Sequence, residues 1–334
     1  MQKTTPAICF IGSGTMARRH SATLKKLYPH INLFYADIDP EQSRRMNDDL
    51  KGKGSYASCE EALQSGDFQI AFITTPHAWH AELAVMAAKN GKDIIIEKPV
   101  ARNGKELNSI LKAVTKYGVR CAVSENYFFK PFLKPLKKYI SAGLIGDVLF
   151  VELNKVNRDS IQGWRTDPVL MGGGALLEGG VHWVNLLVSL VGADPVDVIA
   201  FKPEVSYETN IPVEDSLMVT ARFSNGVTGK LLHSWRIPNS LKGMAHSKIY
   251  GTEGVITFES NGLFISVSGK KRRLCVPNPL DFLGFKAMHR SFIQNYMDGK
   301  PWEPSLERIT MEFGLVEAAY RSLKTKKLES IKTV

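Results

Sequence analysis

The sequence predicts a two-domain α/β protein. A parallel sheet with helices on both faces comes first. A C-terminal α+β domain with a large, open, mostly antiparallel sheet follows. Apolar runs and amphipathic stretches alternate through the first 125 residues, the mark of βαβ units. Beyond about Asn126, long segments alternate apolar and polar residues, as half-buried antiparallel strands do. Between the first strand and first helix stand two close glycines, Gly12 and Gly14.

Ala7 to Ile11 reads as a buried strand, and Thr15 to Leu27 as a helix. The strand "INLFYAD" and a helix near "PEQSRRMNDDL" come next. "FQIAFITT" is a strand, and the helix "HAELAVMAAKN" stops at Gly91. "DIIIEKP", the helix "GKELNSILKAVTKYG" and the strand "RCAVSEN" complete the first domain. In the second, "KPFLKPLKKYISAGLIG" is helical. Strand-like segments then run from "DVLFVELNKVNR" to "GLFISVSG", with a hairpin signal at Asn225-Gly226. The helix "ALLEGGVHWVNLLVSLVG" interrupts them, and helices over 283–298 and 304–323 close the chain.

The 334 residues are 44% hydrophobic, enough for substantial cores, and no apolar run predicts a membrane span. No signal-peptide layout is visible, so the cytoplasm is the expected compartment. The four cysteines are far apart, with no zinc-like spacing, and read as reduced. Forty-three basic residues against 33 acidic give a formal charge of +10. The basic residues scatter over helices and the C-terminal tail, which argues against nucleic acid and suits an anionic small molecule.

Ligands of parallel α/β sheets bind at the carboxyl ends of the strands. There Gly12-Ser13-Gly14-Thr15-Met16-Ala17 fits a dinucleotide fingerprint, with glycines for a tight turn and a helix N-terminus for phosphate. A plain strand-to-helix turn is the alternative. Asp37 ends the second strand at about the spacing of a ribose-binding acid. It suits both hydroxyls of NAD and repels the 2′-phosphate of NADP; otherwise it caps the strand. Lys98 follows three isoleucines, where burial would make it a proton donor or acceptor, unless it simply reaches solvent. Glu97 can hold it by charge. Glu178 and His182 are four residues apart, so a carboxylate can orient an imidazole base; a structural pair is the alternative. Trp164 and Arg165 suit a sugar-like or anionic substrate, or form a salt-bridged loop. His77 and His80 lack a third clear ligand, so no metal is expected.

These pieces occur in the order found in the Gfo/Idh/MocA family of nicotinamide-dependent oxidoreductases, which the chain resembles over nearly its whole length. The resemblance rests on "GSGTMA", "TTPHAWHAELAVMAAKNGKDIIIEKP" and "GGGALLEGGVHWVNLL". It implies a Rossmann NAD-binding domain over 1–125 and a substrate-binding and oligomerisation domain over 126–334. By the same resemblance Gly12, Ser13, Gly14, Thr15 and Met16 hold the pyrophosphate, and Asp37 the ribose. Thr75, Pro76, His80, Glu97 and Asn126 are implied cofactor contacts. Lys98 matches the catalytic lysine, which also touches the cofactor, and His182 the histidine that handles the hydroxyl proton. Tyr127, Trp164 and Arg165 join Lys98 and His182 at the substrate. Two positions depart from many relatives, which carry aspartate where this chain has Glu178 and Asn185. A third, Phe128, stands where many carry arginine.

The expected activity is hydride transfer between NAD(H), rather than NADP(H), and a secondary alcohol or ketone of a sugar, cyclitol or related polyol. His182 would act as base, Glu178 would orient it and Lys98 would share the reacting oxygen, provided the two domains enclose one cleft. The same fold also hosts NAD-dependent glycosidases that oxidise transiently, and non-catalytic dinucleotide-binding regulators. A homodimer or homotetramer through the C-terminal sheet is expected, with no membrane partner.

Overall fold

The computed structural model describes residues 5–204, 213–239 and 244–332. It divides into two compact units. The first comprises Met1–Glu125 with Phe285–Arg308, and the second Asn126–Gly284 with Ile309–Val334. Phe285–Arg308 therefore departs from the expected division, in which everything after residue 125 forms the second domain. The reason is packing: Phe285, Met288, His289 and Phe292 form a buried helical stripe in the first unit.

In that unit β1 (Ile8–Ile11), β2 (Leu33–Ala36), β3 (Gly54–Tyr56), β4 (Ile70–Ile73), β5 (Asp93–Ile96) and β6 (Cys121–Val123) form one parallel sheet, in the order β3-β2-β1-β4-β5-β6. β1 and β4 are wholly buried, which is why they read as unbroken apolar runs. Helices α1 (Thr15–Leu27), α2 (Pro40–Asp49), α3 (Cys59–Gln64), α4 (His80–Lys89) and α5 (Gly104–Tyr117) connect the strands. The register aligns Ile11 with Ala36 and Ile73, and Ile73 with Ile96. The residues that follow, Gly12, Asp37, Thr74 and Glu97, consequently share one edge. Asp39 caps α2 by accepting from Glu41 N–H at 3.0 Å, and Asn103 caps α5. The short β3 and α3 add an edge strand and a connection beyond those predicted. Helix α9 (Phe285–Asp298) completes the unit.

The second unit opens with α6 (Leu133–Ser141). Its nine-stranded sheet runs β14-β13-β12-β11-β7-β10-β9-β8-β15. These strands are β7 (Val148–Val156), β8 (Pro195–Phe201), β9 (Ser216–Phe223), β10 (Thr228–Ser234), β11 (His246–Gly251), β12 (Gly254–Glu259), β13 (Ile265–Ser268), β14 (Arg273–Cys275) and β15 (Glu329–Ser330). Only the β7–β10 pair is parallel among those described. Gly226, at φ +86°, turns β9 into β10 as predicted. Helix α8 (Val181–Val191) lies against the sheet where Gly229 leaves room: a Cβ there would meet Leu187 at 2.8 Å. Short α7 (Pro168–Met171) precedes it, and α10 (Leu306–Thr325) ends the helical part. Contrary to the sequence expectation, Pro168–Val191 is long and apolar enough to cross a membrane. Yet 72% of its apolar 18-residue segment is buried inside the protein, as suits a core helix.

Candidate active site

At the carboxyl edge of the parallel sheet, Gly12 has φ +96°, and a Cβ there would lie 2.9 Å from the backbone nitrogen of Thr75. Only glycine fits both demands. Gly14 has open space in place of a side chain and precedes α1 without any side-chain cap bond. The first-turn N–H groups of a 13-residue helix are thus left for a ligand. The Thr75 hydroxyl beside this loop is buried and has no hydrogen-bond partner among the described residues. Asp37 is buried at the end of β2. Its carboxylate accepts from Ser13 N–H at 2.6 Å, Asp39 N–H at 3.0 Å and the Gln42 amide at 2.9 Å. A bare helix end, an open glycine, an orphan hydroxyl and a strand-end carboxylate fit a dinucleotide.

Pro76 leads into a single turn, His77–Trp79, before α4. His80 is fully buried, with ring nitrogens 2.8 Å from Pro99 O and 2.9 Å from Thr75 O. It braces the two strand-end loops together. Burial lowers its pKa, while those carbonyls and Glu97 act in the other direction. Glu97 is also buried. Its Oε1 lies 2.6 Å from His20 Nε2, and its Oε2 accepts from Lys98 N–H at 3.1 Å. Burial opposes its charge, but His20 and Lys98 outweigh that and bring its pKa down to about 2. Both oxygens of this expected cofactor contact are thus committed to protein partners. Lys98 is half-buried beside it.

In the second unit Tyr127 stacks on His182, ring centres 4.4 Å apart and planes 11° apart. The ammonium of buried Lys130 lies 3.8 Å from the other partner of that stack, the Tyr127 ring. Asn126 donates to Leu283 O at 2.6 Å and so anchors its own loop. Trp164 and Arg165 occupy a short helical turn, Gly163–Thr166, and Arg165 pairs with Glu178 at 2.7 Å. The structure thus brings expected site residues together in two pairs that the sequence did not couple, Tyr127 with His182 and Arg165 with Glu178. Glu178 sits in a π-helical turn, Leu176–Gly180, rather than the α-helix that its spacing from His182 assumed. Gly179 and Gly180 lie in this turn, and the imidazole of His233 approaches where their Cβ atoms would stand, at 3.1 and 3.3 Å.

Several supporting residues carried no signal in the sequence. Glu214 accepts from Leu176 N–H at 3.1 Å and from the Tyr320 hydroxyl at 2.7 Å, and that hydroxyl accepts from Gly174 N–H at 3.1 Å. Burial raises the pKa of Glu214 and, with the nearby carboxylate, that of Tyr320. Asn185 donates to both oxygens of buried Glu312, at 2.8 and 2.9 Å. An aspartate there would set two carboxylates against each other in the core, which accounts for the amide. Among the described residues no group of three metal-binding side chains occurs.

A family model described as an oxidoreductase family with an NAD-binding Rossmann fold matches residues 7–125. One for the GFO/IDH/MocA C-terminal domain matches residues 133–257. The chain is 27% identical to levoglucosan dehydrogenase of Pseudarthrobacter phenanthrenivorans over 285 residues, 74% of this chain and 72% of that protein. It is 28% identical to trans-1,2-dihydrobenzene-1,2-diol dehydrogenase of Xenopus tropicalis over 240 residues, 68% of each. The solved structure of levoglucosan dehydrogenase with NADH and L-sorbose superposes with a TM-score of 0.87. That match has 22% sequence identity and covers 98% of this chain and 99% of the other.

Proposed function

The chain belongs to the Gfo/Idh/MocA family of NAD-binding oxidoreductases, and from that premise we propose that it moves a hydride between NAD(H) and a secondary alcohol or ketone of a sugar, cyclitol or related polyol. The observation that carries the reading is the Gly12–Asp37–Thr75 cradle, which shares its sheet edge with Lys98. The glycine loop and the α1 N-terminus hold the pyrophosphate, and Asp37 the ribose. The nicotinamide, when bound, supplies the hydride acceptor or donor. His182 takes the hydroxyl proton during oxidation, and Lys98 stabilises charge on the same oxygen. Tyr127 holds the face of the imidazole, while Trp164 and the Arg165–Glu178 pair contribute to the substrate wall. Levoglucosan dehydrogenase and the dihydrodiol dehydrogenase act in this chemical class by their names, which supports the substrate assignment. The test is turnover of NAD(H) with a panel of sugars, inositols, uronates and nucleotide sugars. Activity with none of them, in either direction, refutes the reading.

NAD is the preferred cofactor. Asp37 faces the ribose position, exposed Ile38 follows it, and Arg44 is tied to Glu41 at 2.5 Å. A 2′-phosphate finds a carboxylate rather than a cation. Calorimetry with the two cofactors is expected to give tighter NAD binding, and equal or tighter NADP binding overturns this.

The large sheet is also the basis for self-association. On its open face Phe201, Met218 and Leu232 form an apolar row across β8, β9 and β10, and Phe150 on β7 is 54% exposed. The ion pairs Glu152–Lys230 and Asp197–Arg222 flank them. A second copy covering this face gives a dimer or tetramer. Light scattering at micromolar concentration is expected to show one of these, and a monomer alone contradicts it. The cytoplasm is the compartment this chemistry suits.

A further inference from the structure

Behind Lys98 lies a buried chain of three polar side chains. His289 on α9 puts its Nε2 2.9 Å from His20 Nδ1 on α1. His20 Nε2 lies 2.6 Å from Glu97 Oε1, and Glu97 Oε2 accepts from Lys98 N–H. The two histidines are at most 1% exposed. Phe72 and Phe285 close around His20, with ring centres 4.6 and 5.2 Å away. The charged groups facing Glu97 are His20 and Lys98, and among the described residues the titratable group facing His289 is His20.

The proton positions follow from chemistry. An ionised Glu97 can only accept, so His20 Nε2 carries a proton. Burial holds His289 well toward its neutral form. His289 Nε2 then either donates to His20 Nδ1 or accepts from it, and in both cases it fixes the ring that holds Glu97. Without it, His20 Nδ1 is left in an aromatic enclosure, and the ring is free to turn from Glu97. An apolar residue would fill the same space, so packing alone does not call for this chain.

We propose that His289 is a positioning residue for Lys98: through His20 it locks Glu97, and Glu97 locks the backbone and charge beside the lysine. This rests on Lys98 being the catalytic lysine. It makes α9, encoded some 190 residues after Lys98, a working part of the cofactor unit.

The test uses the whole chain with lysines reductively methylated with ¹³C, the Lys98 signal being identified by its loss in Lys98→Arg. His289→Phe is expected to move that signal in the cofactor-free protein. It is also expected to lower kcat about tenfold, within what a small misplacement costs, with NAD affinity changed less than about threefold. His289→Gln, whose amide nitrogen replaces Nε2, restores both. Should Phe at 289 prevent folding, His289→Asn serves instead, because its shorter amide falls short of His20 and is expected to behave as Phe does. An unmoved Lys98 signal in the folded variant overturns the proposal, as does a Gln variant no better than Phe. Adding Lys98→Met to His289→Phe should cost nothing beyond Lys98→Met alone, and additive losses place His289 on some other route. If Lys98→Met keeps full turnover while His289→Phe still moves the lysine signal, the catalytic role of Lys98 has failed and the positioning has not.

Discussion

Lys98→Met is expected to lower turnover by about 10²–10⁴-fold, and His182→Ala by a similar factor, the usual share of acid–base catalysis. Lys98 stands at the carboxyl end of β5, half-buried beside an ionised Glu97. Methionine keeps the length of the side chain and removes its charge. His182 is held by the stacked Tyr127 ring, and alanine removes its proton acceptor. NAD affinity should change little for His182→Ala and somewhat for Lys98→Met, because the proposed role of the lysine includes a cofactor contact. If the two groups serve one oxygen as proposed, they act as a unit, and the double variant should lose much less than the product of the single losses. A strand-end lysine and a stacked core histidine with no chemical role would instead change stability alone. Turnover and melting temperature measured on the same samples separate the two. Near-wild-type turnover in either single variant ends that residue's catalytic role.

Gly174→Ala is expected to destabilise the second unit by about 3 kcal/mol, at the upper end of overpacking a rigid site. The space for a Cβ at this position is filled by the backbone carbonyl and carboxylate of Glu214. That carbonyl also accepts from Ala175 N–H at 2.7 Å, so it cannot retreat without loosening the start of the helical segment that carries Glu178 and His182. Gly173→Ala is the comparison. Its Cβ would meet the Tyr320 hydroxyl and the Leu177 side chain at 2.8–3.0 Å, farther than the Glu214 atoms that a Cβ at 174 would meet, so the clash is milder. Thermal unfolding should therefore rank Gly174→Ala well below Gly173→Ala, by about 2–4 °C for each kcal/mol between them. Equal melting temperatures would mean that Glu214 does not clamp this turn.

Much of the first unit was legible because buried parallel strands write themselves as apolar runs. "ICFI" and "IAFI" are examples. β3 escaped because "GSY" is a three-residue edge strand with no periodicity to read. The glycines at 12, 14 and 226 announced turns. Gly179 and Gly180 leave room for a close approach that the sequence does not name: His233 lies on a strand more than fifty residues away. The same limit hid Glu214, Tyr320 and Glu312, each of which meets the site's helices only through tertiary structure. Helix α9 read as an ordinary amphipathic helix, yet its His289 faces His20 across 269 positions of sequence. Periodicity assigns a face to be buried and is silent about which unit buries it.

The most direct measurement of the central claim uses polyols deuterated at the secondary carbinol carbon, incubated with the protein and NAD. One deuterium is expected at C4 of the nicotinamide for each ketone formed, with the rate cut by Lys98→Met and by His182→Ala. Release of a sugar leaving group without net NADH would contradict it and point to transient oxidation, and tight NAD binding with no transfer from any polyol would contradict it in favour of a dinucleotide-binding regulator.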